Sequence, residues 1–235
     1  MRELIRTLDR ADLAGPADLA ARSLLGARLV RDDETGRRVG RIVEVEAYLG
    51  PGDAASHARF GPTDRNRVMF GPAGRAYVYL VYGMYDCLNV VTGPDGEAGA
   101  VLIRAVDPLE GVDRMRLDRL AVSRRRRALR DDPLAMAAAT DRLGRTRDRR
   151  LASGPGLVAA AFGLDRAWTG FDLLKPGATL RLERDPADPA DTVATPQVRA
   201  TARIGVDYAG PAWAGRELRF AIAGHPSVSG PAASR

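Results

Sequence analysis

The sequence predicts an α+β fold, a single domain with a mixed, largely antiparallel curved sheet, a protruding β-hairpin and peripheral helices. Three observations carry this expectation. The 235 residues are 45% apolar, enough for one sizeable core. Short β-rich runs recur between turns marked by Gly, Asp and Pro. Helical segments fall among them with no internal repeat and no regular strand–helix–strand period.

The elements follow in order. Pro16 stands where a helix can start, Leu19, Leu24 and Leu25 recur at roughly helical spacing, and Gly26 is placed to stop it. Ala27 to Arg31 and Arg38 to Ala47 flank Asp-Asp-Glu-Thr-Gly and read as a hairpin. Val39, Val43 and Val45 alternate with polar neighbours, so Glu44 and Glu46 share the opposite face. Tyr48 to Arg75 holds five Gly and three Pro with little periodicity, a long loop expected to serve a site. Ala76 to Tyr82 and Tyr85 to Val91 form a second hairpin around Gly83-Met84, whose glycine suits a two-residue II′ turn. A turn at Gly93-Pro-Asp-Gly leads to a strand over Ala100 to Val106. Asp107-Pro108 then reads as the cap and first residue of a helix to about Leu120. Ser153-Gly-Pro155 opens a short helix of Val158 to Phe162 capped by Gly163, and Thr179 to Glu183, Gln197 to Val206 and Glu217 to Ala223 read as strands.

Charge is localised. Residues 121–150 carry ten arginines, including Arg124, Arg125, Arg126 and Arg127, against four aspartates, which accounts for the whole net charge of +6. Such a block attracts polyanions, nucleic acid or an acidic membrane surface, and its plain alternative is a solvated, mobile basic insertion. Lys175 is the only lysine, so no phosphate-cradling Gly-x-x-x-x-Gly-Lys loop can be written. One cysteine, Cys87, excludes an internal disulfide framework, and with His57 and His225 alone no Cys/His metal pattern exists, so no metal or other cofactor is expected. The apolar runs are too short for a membrane span, and the charged N-terminus does not resemble a secretory signal. The expectation is a cytoplasmic protein.

Five of the six tyrosines, Tyr48, Tyr77, Tyr79, Tyr82 and Tyr85, fall within 38 residues together with His57. Aromatics fill strands and cores, and Tyr77 fits that role. Tyr82, Met84 and Tyr85 sit at a hairpin tip, where an exposed apolar wedge suits insertion between bases. Glu46 closes its strand at the entry to the long loop, a perch from which a carboxylate can face a cleft, and Glu44 is its natural competitor. No Gly-x-Ser-x-Gly elbow, His-Glu-x-x-His or dinucleotide fingerprint occurs.

Longer motifs then become readable. Arg41-Ile-Val-Glu-Val-Glu-Ala-Tyr-Leu-Gly-Pro51, His57-Ala-Arg, Thr63-Asp-Arg-Asn-Arg67, Met69-Phe70, Ala76-Tyr-Val-Tyr-Leu-Val-Tyr-Gly-Met-Tyr-Asp-Cys-Leu-Asn89 and Val101-Leu-Ile-Arg-Ala-Val-Asp-Pro-Leu-Glu-Gly111 closely resemble the alkyladenine (3-methyladenine) DNA glycosylase family. The resemblance continues through Ala152-Ser-Gly-Pro155, Arg203-Ile-Gly-Val206 and Gly224-His-Pro-Ser-Val-Ser229. It implies a base-excision-repair enzyme whose partner is double-stranded DNA containing damaged purines, acting as a monomer. Glu46 would activate the water that attacks the sugar, with Arg104 beside it. Tyr48 on one side and His57 with Tyr79 on the other would sandwich a flipped base, and Asn89 would crowd the amino group of normal guanine. Tyr82 would fill the gap left in the duplex, with Met84 and Tyr85 beside it.

Backbone contacts are expected from Arg65, Arg67 and the arginines at 124–127. The family's Lys and Gln after its Gly-Pro are absent here, where Gly154-Pro-Gly-Leu-Val-Ala-Ala-Ala is apolar, and the basic segment is placed to substitute for them. Lysine scarcity points to a monofunctional glycosylase, since a strand-cutting lyase needs an amine nucleophile. Two other readings stay open at this level: a non-enzymatic binder of damaged DNA, and an N-glycoside hydrolase of nucleosides or RNA.

Overall fold

The computed structural model describes residues 8–81, 83–125, 131–185 and 197–230. Tyr82, Arg126 and Arg127 lie outside the described residues. Among the described residues, five α-helices and eight strands form an α+β architecture in which every strand pairing is antiparallel and the sheet is not closed. Among the described residues no helix is long and apolar enough to cross a membrane.

Helix α1 (Ala17–Leu24) starts directly after Pro16 and buries Ala17, Ala20, Ala21 and Leu24, while Leu19 points outward. Strands β1 (Arg28–Asp33) and β2 (Gly36–Tyr48) pair as the expected hairpin. The 13-residue β2 is the spine of the sheet. One of its edges pairs with β5 (Ala100–Glu110), and the other is shared by β1 up to Arg41 and by β8 (Arg219–Ile222) from Glu44 onward. Beyond β5 lie β4 (Tyr85–Val91) and β3 (Ala76–Val81); β6 (Leu180–Glu183) flanks β1, and β7 (Val198–Thr201) flanks β8.

Register between β2 and β5 slips between Ile42 and Glu44 and again between Glu44 and Val45. A slip of one residue exchanges the faces of a strand. Ile42, Val45 and Ala47 therefore join the main apolar core, whereas Val39 and Val43 are buried outside it, so the three valines do not form the single stripe expected. After the bulge Glu44, Glu46 and Tyr48 share the face away from the main core.

That core receives Val78, Leu88, Val90, Val101 and Ile103 from the strands, and is covered by α1 and α4 (Pro155–Ala161). Alternation sends Tyr77, Tyr79, Asn89, Ala100, Leu102 and Arg104 to the other face, where a smaller cluster of Ala58, Met69, Tyr77, Val91, Ala98 and Ala100 forms.

Two turns differ from expectation. Strand β5 runs through Asp107 and Pro108 to Glu110, and helix α2 (Val112–Arg125) starts only after Gly111. Pro108 lies opposite Gly40, beside a register slip, where a missing N–H is tolerated. In the β3–β4 hairpin Val81 pairs with Tyr85, leaving three residues at the tip, and the Met84 amide donates to the Val81 carbonyl with Gly83 at φ +66°. The turn is one residue longer than the expected II′ turn.

The basic segment is helical over its described part. Helix α3 (Pro133–Gly144) begins on an Asp132 cap that accepts from the Ala135 amide. Its C-terminal end is tied to α2 by Arg116, which donates to the Leu143 and Thr146 carbonyls and to Asp148.

Candidate active site

The site is built across the sheet's second face. Register aligns Tyr77 with Asn89, Asn89 with Leu102, Leu102 with Glu46, and Glu46 with Arg219, one residue from each of five strands. The long loop after β2 adds His57 and Met69 above this row. Its backbone is fixed by buried side chains: Asp53 accepts from the Leu49 and Ala55 amides, and Asn66 donates to the His57 and Gly61 carbonyls.

Tyr48, His57, Tyr79 and Asn89, four residues singled out from the sequence, line one pocket, together with Ala55, Met69, Tyr77, Ala100 and Tyr208. The His57 ring meets Tyr79 edge-on at 4.4 Å between centroids, and its Nδ1 lies 3.0 Å from the Tyr77 hydroxyl. Burial, then the charges of Arg65 and Arg59, pushes the His57 pKa down to about 4, so the imidazole is neutral at physiological pH. Burial also raises the Tyr79 phenol. Asn89 donates through Nδ2 to the Tyr77 carbonyl at 3.0 Å, which holds its amide against the pocket wall.

Glu46 and Arg104 meet as expected, with 3.1 Å between Arg104 Nη1 and Glu46 Oε1. Glu46 does not face an open cleft, however, because its side chain is fully buried. The reason is its partners. Oε1 also accepts from the Ile204 amide at 2.8 Å, and Oε2 accepts from the Tyr48 hydroxyl at 3.0 Å. A carboxylate offers about four lone-pair sites, so these three contacts leave roughly one. Burial, reinforced by the Glu46 charge, holds the Tyr48 phenol well above its ordinary pKa, so it remains a donor to Glu46. Burial opposes the charge of Arg104, and Glu46 and Glu44 together outweigh that, raising its pKa.

Glu44 is not an equivalent competitor. It accepts from Arg104 Nε at 2.9 Å, Arg219 Nε at 2.7 Å, the Ser229 amide at 2.5 Å and the Ser229 hydroxyl at 2.9 Å. Its acceptor capacity is consumed, which makes it an anchor for Arg104 and for the C-terminal segment.

Other residues are placed differently. Met84 is exposed at the hairpin tip, but Tyr85 is half-buried and turned onto α4, where a Cβ on Gly156 would lie 2.7 Å from its ring. Arg65 is exposed with its guanidinium 5.7 Å from the Tyr79 ring centroid, and Arg67 pairs with Asp64. Arg124 and Arg125 end α2, and Arg125 shares a groove with Gly83, Met84 and Asp86 of the hairpin, not with the pocket.

Sequence reasoning gave no role to Asp53, Arg203, Ile204, Tyr208 or Ser229. Arg203 is buried, pairs with Asp53 at 2.6 and 2.9 Å, and lays its guanidinium 4.8 Å from the Tyr48 ring centroid. The Tyr208 hydroxyl donates to the Ala55 carbonyl at 3.0 Å between two loops of the pocket. Arg203, Ile204 and Ser229 stood inside recognised motifs, but nothing in their spacing identified their partners.

The chain matches the methylpurine-DNA glycosylase family over residues 11–226. The DNA-3-methyladenine glycosylase of Homo sapiens is 42% identical over 216 residues, 91% of this chain and 65% of the human protein. A protein of Anaeromyxobacter dehalogenans (strain 2CP-C), named for 3-methyladenine DNA glycosylase, is 43% identical over 226 residues, 96% of this chain and 87% of that protein. With the buried Glu46–Arg104 pair set beside an aromatic pocket, and with relatives aligned over nearly its whole length, the chain belongs to the methylpurine-DNA glycosylase family.

Proposed function

We propose that this enzyme is a monofunctional DNA glycosylase that extrudes an alkylated or deaminated purine from duplex DNA and hydrolyses its N-glycosidic bond with a water activated by Glu46. The observation that carries the reading is the hydrogen bond from Tyr48, a wall of the aromatic pocket, to the carboxylate of Glu46. It joins a place for a base to a place for a base catalyst.

A base within a duplex is out of reach, so it must be unstacked, at a cost of a few kcal/mol; stacking on protein aromatics returns roughly 1–3 kcal/mol per base. Tyr48, His57 and Tyr79 supply those surfaces. Because His57 is neutral, a cationic alkylated purine meets only neutral rings, which favours it through cation–π attraction. Asn89, held by the Tyr77 carbonyl, limits space beside the base.

Cleavage builds positive charge on the sugar, which the Glu46 carboxylate stabilises. The remaining Glu46 lone pair takes a proton from water, the water oxygen bonds to C1′, and the C1′–N electrons leave with the base. An abasic site results; a cationic alkylpurine leaves as the neutral base, and a deaminated purine leaves as an anion that takes its proton from solvent. Arg104 holds Glu46 at Oε1, the oxygen that Tyr48 does not bond. Lys175, the only lysine, is exposed in a turn and belongs to neither the pocket nor the row, which supports hydrolysis over lyase chemistry.

Single-turnover release of base from a duplex carrying one hypoxanthine or 3-methyladenine-type lesion tests the reading. Wild-type release that collapses in Glu46→Gln is the expected result. Tight lesion binding without release would establish a binding protein instead, and a borohydride-trapped protein–DNA adduct would refute the monofunctional assignment.

A further inference from the structure

We infer that Phe60 is a second point of duplex contact, an aromatic on a rigid turn beside the pocket that packs against DNA flanking the extruded nucleotide. The inference rests on the proposed function, since it takes the same duplex as its partner.

Phe60 is 88% exposed, the most exposed of the large apolar side chains in the described structure. By itself a single exposed apolar side chain is ordinary; the question is whether the backbone beneath Phe60 can fold it away. Here it cannot. Ala58 is fully buried in the cluster under the pocket, and the Gly61 amide donates back to the Ala58 carbonyl at 2.9 Å. Asn66, itself buried, clamps both sides of the turn, donating to the His57 carbonyl at 2.8 Å and to the Gly61 carbonyl at 3.0 Å, while its Oδ1 accepts from the Thr63 amide. One side chain thus fixes the pocket residue His57 and the turn that carries Phe60.

The chemistry of the surroundings selects the partner. Arg59 lays its guanidinium 4.8 Å from the Phe60 ring centroid, and Arg65, exposed in the same loop, lies 5.7 Å from the ring centroid of Tyr79 in the pocket wall. An aromatic ring backed by a guanidinium, with a second exposed arginine in the same loop, fits a polyanion that also offers flat apolar faces, which describes nucleic acid. Position agrees. His57 and Tyr79 form one wall of the pocket; the chain reaches Phe60 three residues after His57 and the exposed Met84 five residues after Tyr79. Two exposed apolar side chains thus stand a few residues along the chain from the same wall, one on the hairpin and one on the loop.

The test uses Phe60→Ala and Phe60→Trp in the full chain, with the exposed Leu19→Ala on α1 as a control for general surface effects. Phe60→Ala is expected to weaken binding of a lesion-containing duplex by at least about fivefold at fixed salt, the lower end of one stacking contact. The added emission of Phe60→Trp, read as the difference from wild type, is expected to change when that duplex is bound. Leu19→Ala is expected to bind as wild type does. Unchanged affinity in Phe60→Ala together with unchanged Phe60→Trp emission on a bound duplex overturns the inference. Failure of the underlying reading is separate: it shows as no base release by the wild type itself.

Discussion

Arg104 divides its guanidinium between two carboxylates of one strand, with Nε donating to Glu44 at 2.9 Å and Nη1 lying 3.1 Å from Glu46. Glu44 touches no part of the pocket, yet it decides where Arg104 sits. Glu44→Gln keeps the shape and removes the opposing charge, so Arg104 is drawn further onto Glu46. Base release should slow by roughly tenfold, about 1.4 kcal/mol of transition-state stabilisation, with lesion affinity retained. Glu44→Ala also strips Arg219 of its Glu44 partner and leaves Arg104 with Glu46 alone, and should cost about 3–5 kcal/mol of stability. Single-turnover rates, equilibrium binding and denaturant titration separate these outcomes.

The Asp53–Arg203 pair is fully buried and holds Arg203 over Tyr48. Asp53→Asn should destabilise the fold by about 3 kcal/mol, because a buried guanidinium then lacks its counter-charge. It should also loosen Tyr48, weakening lesion binding as well as slowing release, unlike Glu44→Gln.

His57 has its pKa lowered from 6.5 to about 4, so the unfolded chain binds more protons than the folded one between those values. Its contribution to stability is present above pH 6.5 and is lost as pH falls toward about 4. The melting temperature of the wild type should drop across that window, and His57→Asn should flatten that part of the profile.

Gly156 allows the Tyr85 ring to close on α4. In Gly156→Ala the new methyl would lie 2.7 Å from Tyr85 Cβ, Cγ and Cδ1, so the ring must move. A loss of about 1–3 kcal/mol is expected, as for overpacking elsewhere, with weaker lesion binding because Tyr85 begins the strand that carries the hairpin tip. Thermal melts of Gly156→Ala and of Gly156→Ala/Tyr85→Ala should show partial rescue in the double variant.

Arg124 and Arg125 are exposed at the end of α2, and Arg125 lines the groove beside the hairpin. If both meet phosphates, replacing them with Ala lowers the magnitude of the salt slope of DNA binding by up to about 1.8. An unchanged slope would remove these two positions from the interface.

Much of the architecture was written locally in the chain. The turn residues between β1 and β2 announce that hairpin, and Pro155 with Gly163 mark α4, which starts at Pro155 three residues before the expected Val158, because those signals act within a few residues. Local signals misled at Asp107-Pro108, where a cap-like dipeptide lies in a strand because β2 supplies a partner across the sheet. The bulge near Val43 left no mark in the residue pattern, although it separates the valines and fixes the face of Glu46. Tyr48, His57, Tyr79 and Asn89 were legible through extended motifs. Their supports were not, since Asp53 and Arg203 stand 150 residues apart and Ser229 reaches Glu44 from the far end of the chain.

The row Tyr77, Asn89, Leu102, Glu46 and Arg219 takes a single residue from each of five neighbouring strands. Chain length inside those strands is therefore as constrained as side-chain identity. Removing one residue between Val45 and Tyr48, or between Leu88 and Val91, would send the following side chains to the helix-covered face and place apolar groups where the carboxylate or amide belongs. A deletion scan through these strands should therefore read the row as sharply as a substitution scan.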